Sequence, residues 1–285
     1  MTPTCAPRCC SNPSASEAAN TTPTADDKAQ AAPARAAERL RGEPTVRLLG
    51  VSKSYGRTRA VVDLTLELYG GEVFAFLGPN GAGKTTTLKL TTGLLRPDTG
   101  SVQVCNQNMA RRGRRAKQQI AYVPDQPFLY DKLTGREFIH FARDVYGVPA
   151  DVAQRRLEEL SRRLEMDAFL DQLAESYSHG MRQKVALAAA LIHAPRVLVV
   201  DEPIVGLDPR SIRVIKTMFR ELAAAGGTVF MSTHTLDIAE AVADRIGIIN
   251  GGRLIALGTL AELRAQAVAA GRLEDIFLQL TGSPP

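Results

Sequence analysis

Nine residues, Gly78-Pro79-Asn80-Gly81-Ala82-Gly83-Lys84-Thr85-Thr86, constrain this chain more than any other stretch. They fit the pattern G-x-x-x-x-G-K-[ST]. The apolar run Val73 to Leu77 precedes them and the helical run Leu88 to Leu95 follows. A buried strand, a glycine loop and a helix in that order form a phosphate-binding unit. The glycines let backbone N–H groups close around phosphate oxygens, and the helix N-terminus adds partial positive charge. In this pattern Lys84 reaches the β- and γ-phosphates of a nucleotide. The Thr85 hydroxyl is a ligand for Mg²⁺, a cation that takes hard oxygen donors and retains waters.

The rest of the chain reads as α/β around that unit. Val46 to Val51, Ala60 to Leu68 and Gly100 to Cys105 have strand character, broken by Gly56, Gly70 and Gly71. Ile120 to Val123 is a short strand closed by Pro124. Val197 to Val200 is a continuous apolar run, as for a strand buried on both faces. Thr228 to Met231 and Arg245 to Ile249 read the same way. Ser211 to Ala224 and Leu236 to Ala243 read as helices between these strands. The stretch from Thr134 to about Leu173 has helical period, with Phe138, Phe141, Ala142 and Val145 expected on one side. Leu157, Leu160, Leu164 and Phe169 continue that pattern. By contrast, residues 1–44 are rich in Ala, Thr, Pro and Ser, and are read as a disordered tail, with a helical stretch expected from Pro33 to Arg41. Cys5, Cys9 and Cys10 crowd that tail without a metal-binding spacing.

Chemistry can be assigned at three further places. Asp201 ends the run Val197 to Val200, which puts its carboxylate beside the glycine loop at the carboxyl edge of a sheet. Glu202 follows at once and points elsewhere. Asp201 is therefore expected to take the metal and Glu202 to polarise the attacking water as general base. His234, just past the strand Thr228 to Met231, can hydrogen-bond a γ-phosphate and the water. Finally, Tyr177-Ser178-His179-Gly180-Met181 runs into Arg182-Gln183-Lys184 as a Ser-led helix start.

In this order the motifs resemble the nucleotide-binding subunit of ATP-binding cassette (ABC) transporters, over Val46 to about Thr281. The resemblance implies a P-loop NTPase core, a mostly parallel sheet flanked by helices, with an antiparallel β subdomain and a helical subdomain near residues 126–185. The ATP-binding domain would span 45–282. Tyr55 matches the aromatic residue that stacks on adenine. The run Tyr177 to Met181 matches the family signature, usually L-S-G-G-Q, and the family fold places its Ser178, His179, Gly180 and Met181 against ATP held by a partner subunit. Asp208, in Gly206-Leu207-Asp208-Pro209, matches the D-loop, and His234 the switch histidine. Three positions depart from the pattern. His179 replaces the first Gly of the signature and Met181 its Gln. After Tyr122-Val123-Pro124, where the family places a sensing Gln, this chain has Asp125, with Gln126 next.

The resemblance also implies ATP and Mg²⁺ as ligands, and a second ATP-binding subunit, identical or not. It further implies a separate multi-span membrane permease that is driven by ATP hydrolysis. The signature and the run Leu273-Glu274-Asp275-Ile276-Phe277-Leu278 are similar to subunits serving ABC-2-type exporters. A non-transport ABC ATPase of DNA repair or translation is the alternative, although the single cassette and ordinary helical insert fit it less well. A kinase would leave the signature, D-loop and His234 unexplained.

The chain of 285 residues carries a formal net charge of +5. That suits polyanionic ligands or a negatively charged membrane face. No run approaches the ~20 apolar residues of a membrane span. No secretory signal is evident at the start. The expectation is a cytoplasmic protein, peripheral on the inner face of the cell membrane. The cluster Arg111, Arg112, Arg114, Arg115 and Lys117 reads as a solvated face, with contact to anionic lipid headgroups or the membrane partner as the sharper alternative. No aromatic residues interleave with those charges, so nucleic acid is not an expected partner.

Overall fold

The computed structural model describes residues 42–266 and Phe277. The Ala/Pro-rich tail with its three cysteines, and most of the run 273–278, lie outside the described residues.

Among the described residues ten strands form two sheets. In the first, β1 (Pro44–Tyr55) pairs antiparallel with β2 (Thr58–Tyr69) and β4 (Thr99–Val104), and the short β5 (Gln107–Asn108) pairs with β4. The second has six strands in the order β10-β9-β3-β8-β7-β6. These are β3 (Val73–Leu77), β6 (Ile120–Val123), β7 (Val197–Asp201), β8 (Thr228–Thr233), β9 (Arg245–Asn250) and β10 (Arg253–Gly258). All pairs in it are parallel except β9–β10.

Period-two alternation explains why the central strands read as unbroken apolar runs. Val73, Ala75 and Leu77 of β3 enter one core with Leu198, Val200, Val229 and Met231. Phe74 and Phe76 enter the other with Val197, Val199 and Phe230. Successive side chains point to opposite faces, and both faces are covered. Phe230 meets Phe74 and Phe76 edge-on at 5.6 and 5.8 Å, sealing the six-stranded sheet against the antiparallel one.

Eight helices are described. They are α1 (Lys84–Thr91), α2 (Met109–Lys117), α3 (Gly135–Tyr146), α4 (Ala150–Leu164), α5 (His179–Leu191), α6 (Pro209–Ala224), α7 (Leu236–Val242) and α8 (Leu260–Gln266). Helices α3, α4 and α5 pack on one another around Ile139, Leu157, Leu160, Leu164 and Val185.

Several expectations need correction. The stretch from Thr134 to Leu173 is two helices, because Gly147 closes α3 in the left-handed conformation and Pro149 starts α4. The apolar stripe of α3 is rotated from the expected side. Ile139 is fully buried and Phe138 and Ala142 pack at its margin, but Phe141 and Val145 are 48% and 65% exposed. The helix after the glycine loop stops at Thr91, so Leu94 lies beyond it and is exposed. The basic cluster Arg111–Lys117 is a helix, capped by Asn108 Oδ1 accepting from the N–H groups of Ala110 and Arg111.

Candidate functional site

The glycine loop joins the end of β3 to α1, as its sequence flanks require. Packing as well as conformation fixes two of its glycines. A Cβ on Gly78 would sit 2.4 Å from the Ile249 carbonyl oxygen, and one on Gly83 2.3 Å from that of Ala60. Gly83 also has φ of 108°, where only glycine is unstrained. The loop is therefore pressed between β2 and β9, which fixes its backbone in space.

Lys84 is nearly buried. Its Nζ donates to the carbonyls of Gly78 at 2.6 Å and Pro79 at 3.1 Å, so the ammonium is held under the loop. Burial lowers the Lys84 pKa, and the nearby charges of Glu202 and Asp201 oppose that shift.

A cavity of about 230 Å³ opens over the loop. Its walls bring together Asn80, Gly81, Gly83, Lys84, Thr85 and Thr86 from the loop and helix start. Asp125, Asp201 and Glu202 face them, with Ala60 of β2 at the side. Residues more than 100 positions apart thus meet at the carboxyl edge of the parallel sheet. Asp125 lines the cavity, whereas Gln126 is exposed and does not.

The two adjacent acids divide as their positions imply. Asp201 ends β7, is 2% exposed, and accepts a hydrogen bond from the Ser232 hydroxyl on β8. Glu202 leaves the strand with φ of 48°, a left-handed backbone that costs a non-glycine residue roughly 1–2 kcal/mol. Its N–H donates to the Ser232 carbonyl at 3.2 Å, which holds the turn. Its Oε1 lies 2.8 Å from His234 Nδ1. Such strain at a site-lining carboxylate is what a functional turn retains.

The oxygen donors suit Mg²⁺. Asp201 and Thr85 supply one buried carboxylate and one hydroxyl, with no nitrogen or sulfur ligand in the cavity wall. Among the described residues no group of three or more His, Cys, Asp or Glu could hold a metal alone.

Sequence reasoning missed Tyr122. Its hydroxyl is buried with no hydrogen-bond partner among the described residues. Burial, then the charges of Asp201 and Asp125, push its pKa up, so it borders these carboxylates as a protonated phenol. As a residue of an apolar strand it carries no signal of this in the sequence.

Other expected residues lie elsewhere. Tyr55 ends β1, is 50% exposed, and is not part of the cavity wall. Ser178 caps α5, its Oγ accepting from the Met181 N–H at 3.3 Å. Neither it nor His179, Gly180 or Met181 lines the cavity. The signature instead touches the D-loop of its own chain. The His179 ring lies against Gly206, and Lys184 Nζ is 3.9 Å from Asp208 Oδ2. Asp208 caps α6 by accepting from Ser211, which lowers its pKa to about 2.

Comparison with known proteins gives a consistent picture. A family model described as ABC transporter matches residues 61–205. A linearmycin resistance ATP-binding protein of Bacillus subtilis (strain 168) is 35% identical over 233 residues, 82% of this chain and 73% of that protein. A Nod factor export ATP-binding protein I of Ralstonia nicotianae (strain ATCC BAA-1114 / GMI1000) is 34% identical over 231 residues, 81% and 72% of the two chains. A solved structure, described as the ATP binding subunit of an ABC transporter, superposes with a TM-score of 0.80 at 33% identity. It covers 83% of this chain and 99% of that one. Its P-loop NTPase fold is also the fold of this chain.

Proposed function

The chain belongs to the ABC transporter family, and on that premise we propose that its glycine-loop cavity is one half of an ATP site completed by a second such subunit. The protein is an ATP-hydrolysing subunit of an export-type transporter. The observation that carries the residue-level reading is the meeting of the loop with Asp125, Asp201 and Glu202, with His234 bonded to Glu202.

ATP is the substrate. The loop N–H groups and Lys84 bind its phosphates, and the fixed backbone at Gly78 and Gly83 means little reorganisation is needed. Tyr55 offers its ring to adenine. Thr85 and Asp201 hold Mg²⁺, which when bound neutralises charge developing on the phosphates. Glu202 orients the attacking water and accepts its proton. The contact from His234 fixes the Glu202 carboxylate, and Asp125 faces the same space. Ser178 and Gly180, exposed or half-exposed on a helix start with no acid in its first turn, contact the ATP of the partner subunit.

A permease takes up the other face. Phe128, Tyr130 and Phe141 form an edge-to-face aromatic cluster that is largely exposed, with Val145 one turn beyond. Phe128 follows Asp125 by three residues, so this patch connects directly to the cavity wall. Contiguous exposed apolar surface of this kind marks an interaction site. Among the described residues no helix is long and apolar enough to cross a membrane.

Phosphate release and nucleotide binding, measured side by side, test the assignment. Lys84→Ala is expected to abolish both. Glu202→Gln is expected to keep binding and to lower turnover about 10²–10⁴-fold. Turnover of Glu202→Gln at the parental rate would remove Glu202 as the base.

A further inference from the structure

A second cavity, of about 770 Å³, lies apart from the ATP site. It lies between the end of α1, strand β4, helix α2 and the end of α3. Leu90, Leu95, Val102 and Met109 give it an apolar floor, and Arg96, Arg111, Arg114 and Lys117 line it as well. No acidic residue lines it. Among the described residues, no carboxylate pairs with any of these cations, nor with Arg112 or Arg115 on the same helix. By contrast, Arg136, Arg143, Arg155 and Arg163 on α3 and α4 each meet one. Three cations of α2, Arg111, Arg114 and Lys117, thus line an apolar hollow together with Arg96, and Arg112 and Arg115 lie beside them on a helix kinked at Arg112. That combination selects a ligand that is anionic at one end and apolar at the other.

The position of the cavity says where that ligand comes from. Val145 lines the cavity and lies one helical turn from Phe141 of the exposed aromatic patch. The hollow therefore continues the face assigned above to the permease, which is the face turned to the membrane. We propose that α2 and this cavity seat the headgroups of anionic phospholipids at the membrane surface, a direct lipid contact beside the permease contact. The inference rests on that permease-face reading. Each cation near an anionic surface adds roughly a factor of five in affinity, and the attraction fades over a Debye length of about 8 Å at physiological salt.

Co-sedimentation of the full chain, without any permease, with two kinds of vesicle tests this. Vesicles of phosphatidylcholine with phosphatidylglycerol should bind it at least tenfold better than phosphatidylcholine alone, and added salt should weaken the binding. Combining Arg111→Gln, Arg114→Gln and Arg115→Gln should lower that binding about a hundredfold. A charge-matched control, Arg162→Gln with Arg213→Gln and Lys216→Gln, should retain it. Equal binding to neutral vesicles, or equal losses in both triple variants, would overturn the proposal. So would displacement by inorganic phosphate at low millimolar concentration, which would make the site one for a free anion. ATP turnover of the α2 variant in solution should stay parental. A failed vesicle experiment with intact turnover would thus remove the lipid contact and leave the ATPase reading standing.

Discussion

Asp201 and Ser232 carry the most concentrated polar interaction of the core. The carboxylate is 2% exposed and the hydroxyl that donates to it is fully buried. Ser232→Ala leaves the charge desolvated without that donor and should cost about 1.5–3 kcal/mol, read as a lower denaturant midpoint at unchanged slope. Asp201 was legible in the sequence because an acid ending a buried apolar strand has one place to go. Its donor on the neighbouring strand was not, because parallel pairing of β7 with β8 joins residues 31 positions apart. His193 was equally hidden. Its ring stacks on Tyr146 at 3.6 Å, and neither nitrogen has a hydrogen-bond partner among the described residues. Burial lowers its pKa to about 4, with Arg156 adding to the shift and the Ile120 backbone opposing it without completing a bond. The unfolded chain binds this proton near pH 6.5, the folded chain only near 4. Stability is therefore full above pH 6.5 and falls as pH drops from 6.5 to 4. Thermal melts of His193→Phe should lose that component of the pH dependence.

Tyr177 ties three elements together. Its hydroxyl accepts from the Gly135 N–H at 2.9 Å, at the start of α3, and donates towards the Phe169 and Gln172 carbonyls after α4. Its ring meets Phe169 edge-on and lies immediately before the Ser178 cap of α5. Tyr177→Phe keeps the ring and removes the shared hydroxyl. It should destabilise by about 1–3 kcal/mol, with hydrogen exchange rising first in α3 and the start of α5. The signature was legible as a motif, but its first residue as a structural staple was not. The break between α3 and α4 could be read from Gly147 and Pro149. The exposure of Phe141 and Val145 could not, because a helical stripe of four apolar residues looks the same whether a core or a partner covers it.

In the whole molecule, two halves of the expected ATP site lie apart. The loop, Asp125, Asp201 and Glu202 share one cavity, while Ser178 and Gly180 sit outside it on a surface helix start linked to Asp208. The mostly parallel sheet and its loop were legible because a glycine loop between a buried strand and a helix admits few architectures. Strand β10 was not, since six residues give little alternation to read, and helix α2 was not, because its run of Arg and Lys around Gly113 buries only Ala116. In the proposed site a second copy would bring its signature to the cavity, and ATP would be the ligand that joins two subunits. Light scattering of Glu202→Gln with and without ATP and Mg²⁺ measures this most directly. Expected is a monomer without nucleotide and a persistent dimer with it, lost again when Ser178→Ala is added. A Glu202→Gln chain that binds ATP fully and stays monomeric at every protein concentration would contradict the shared site.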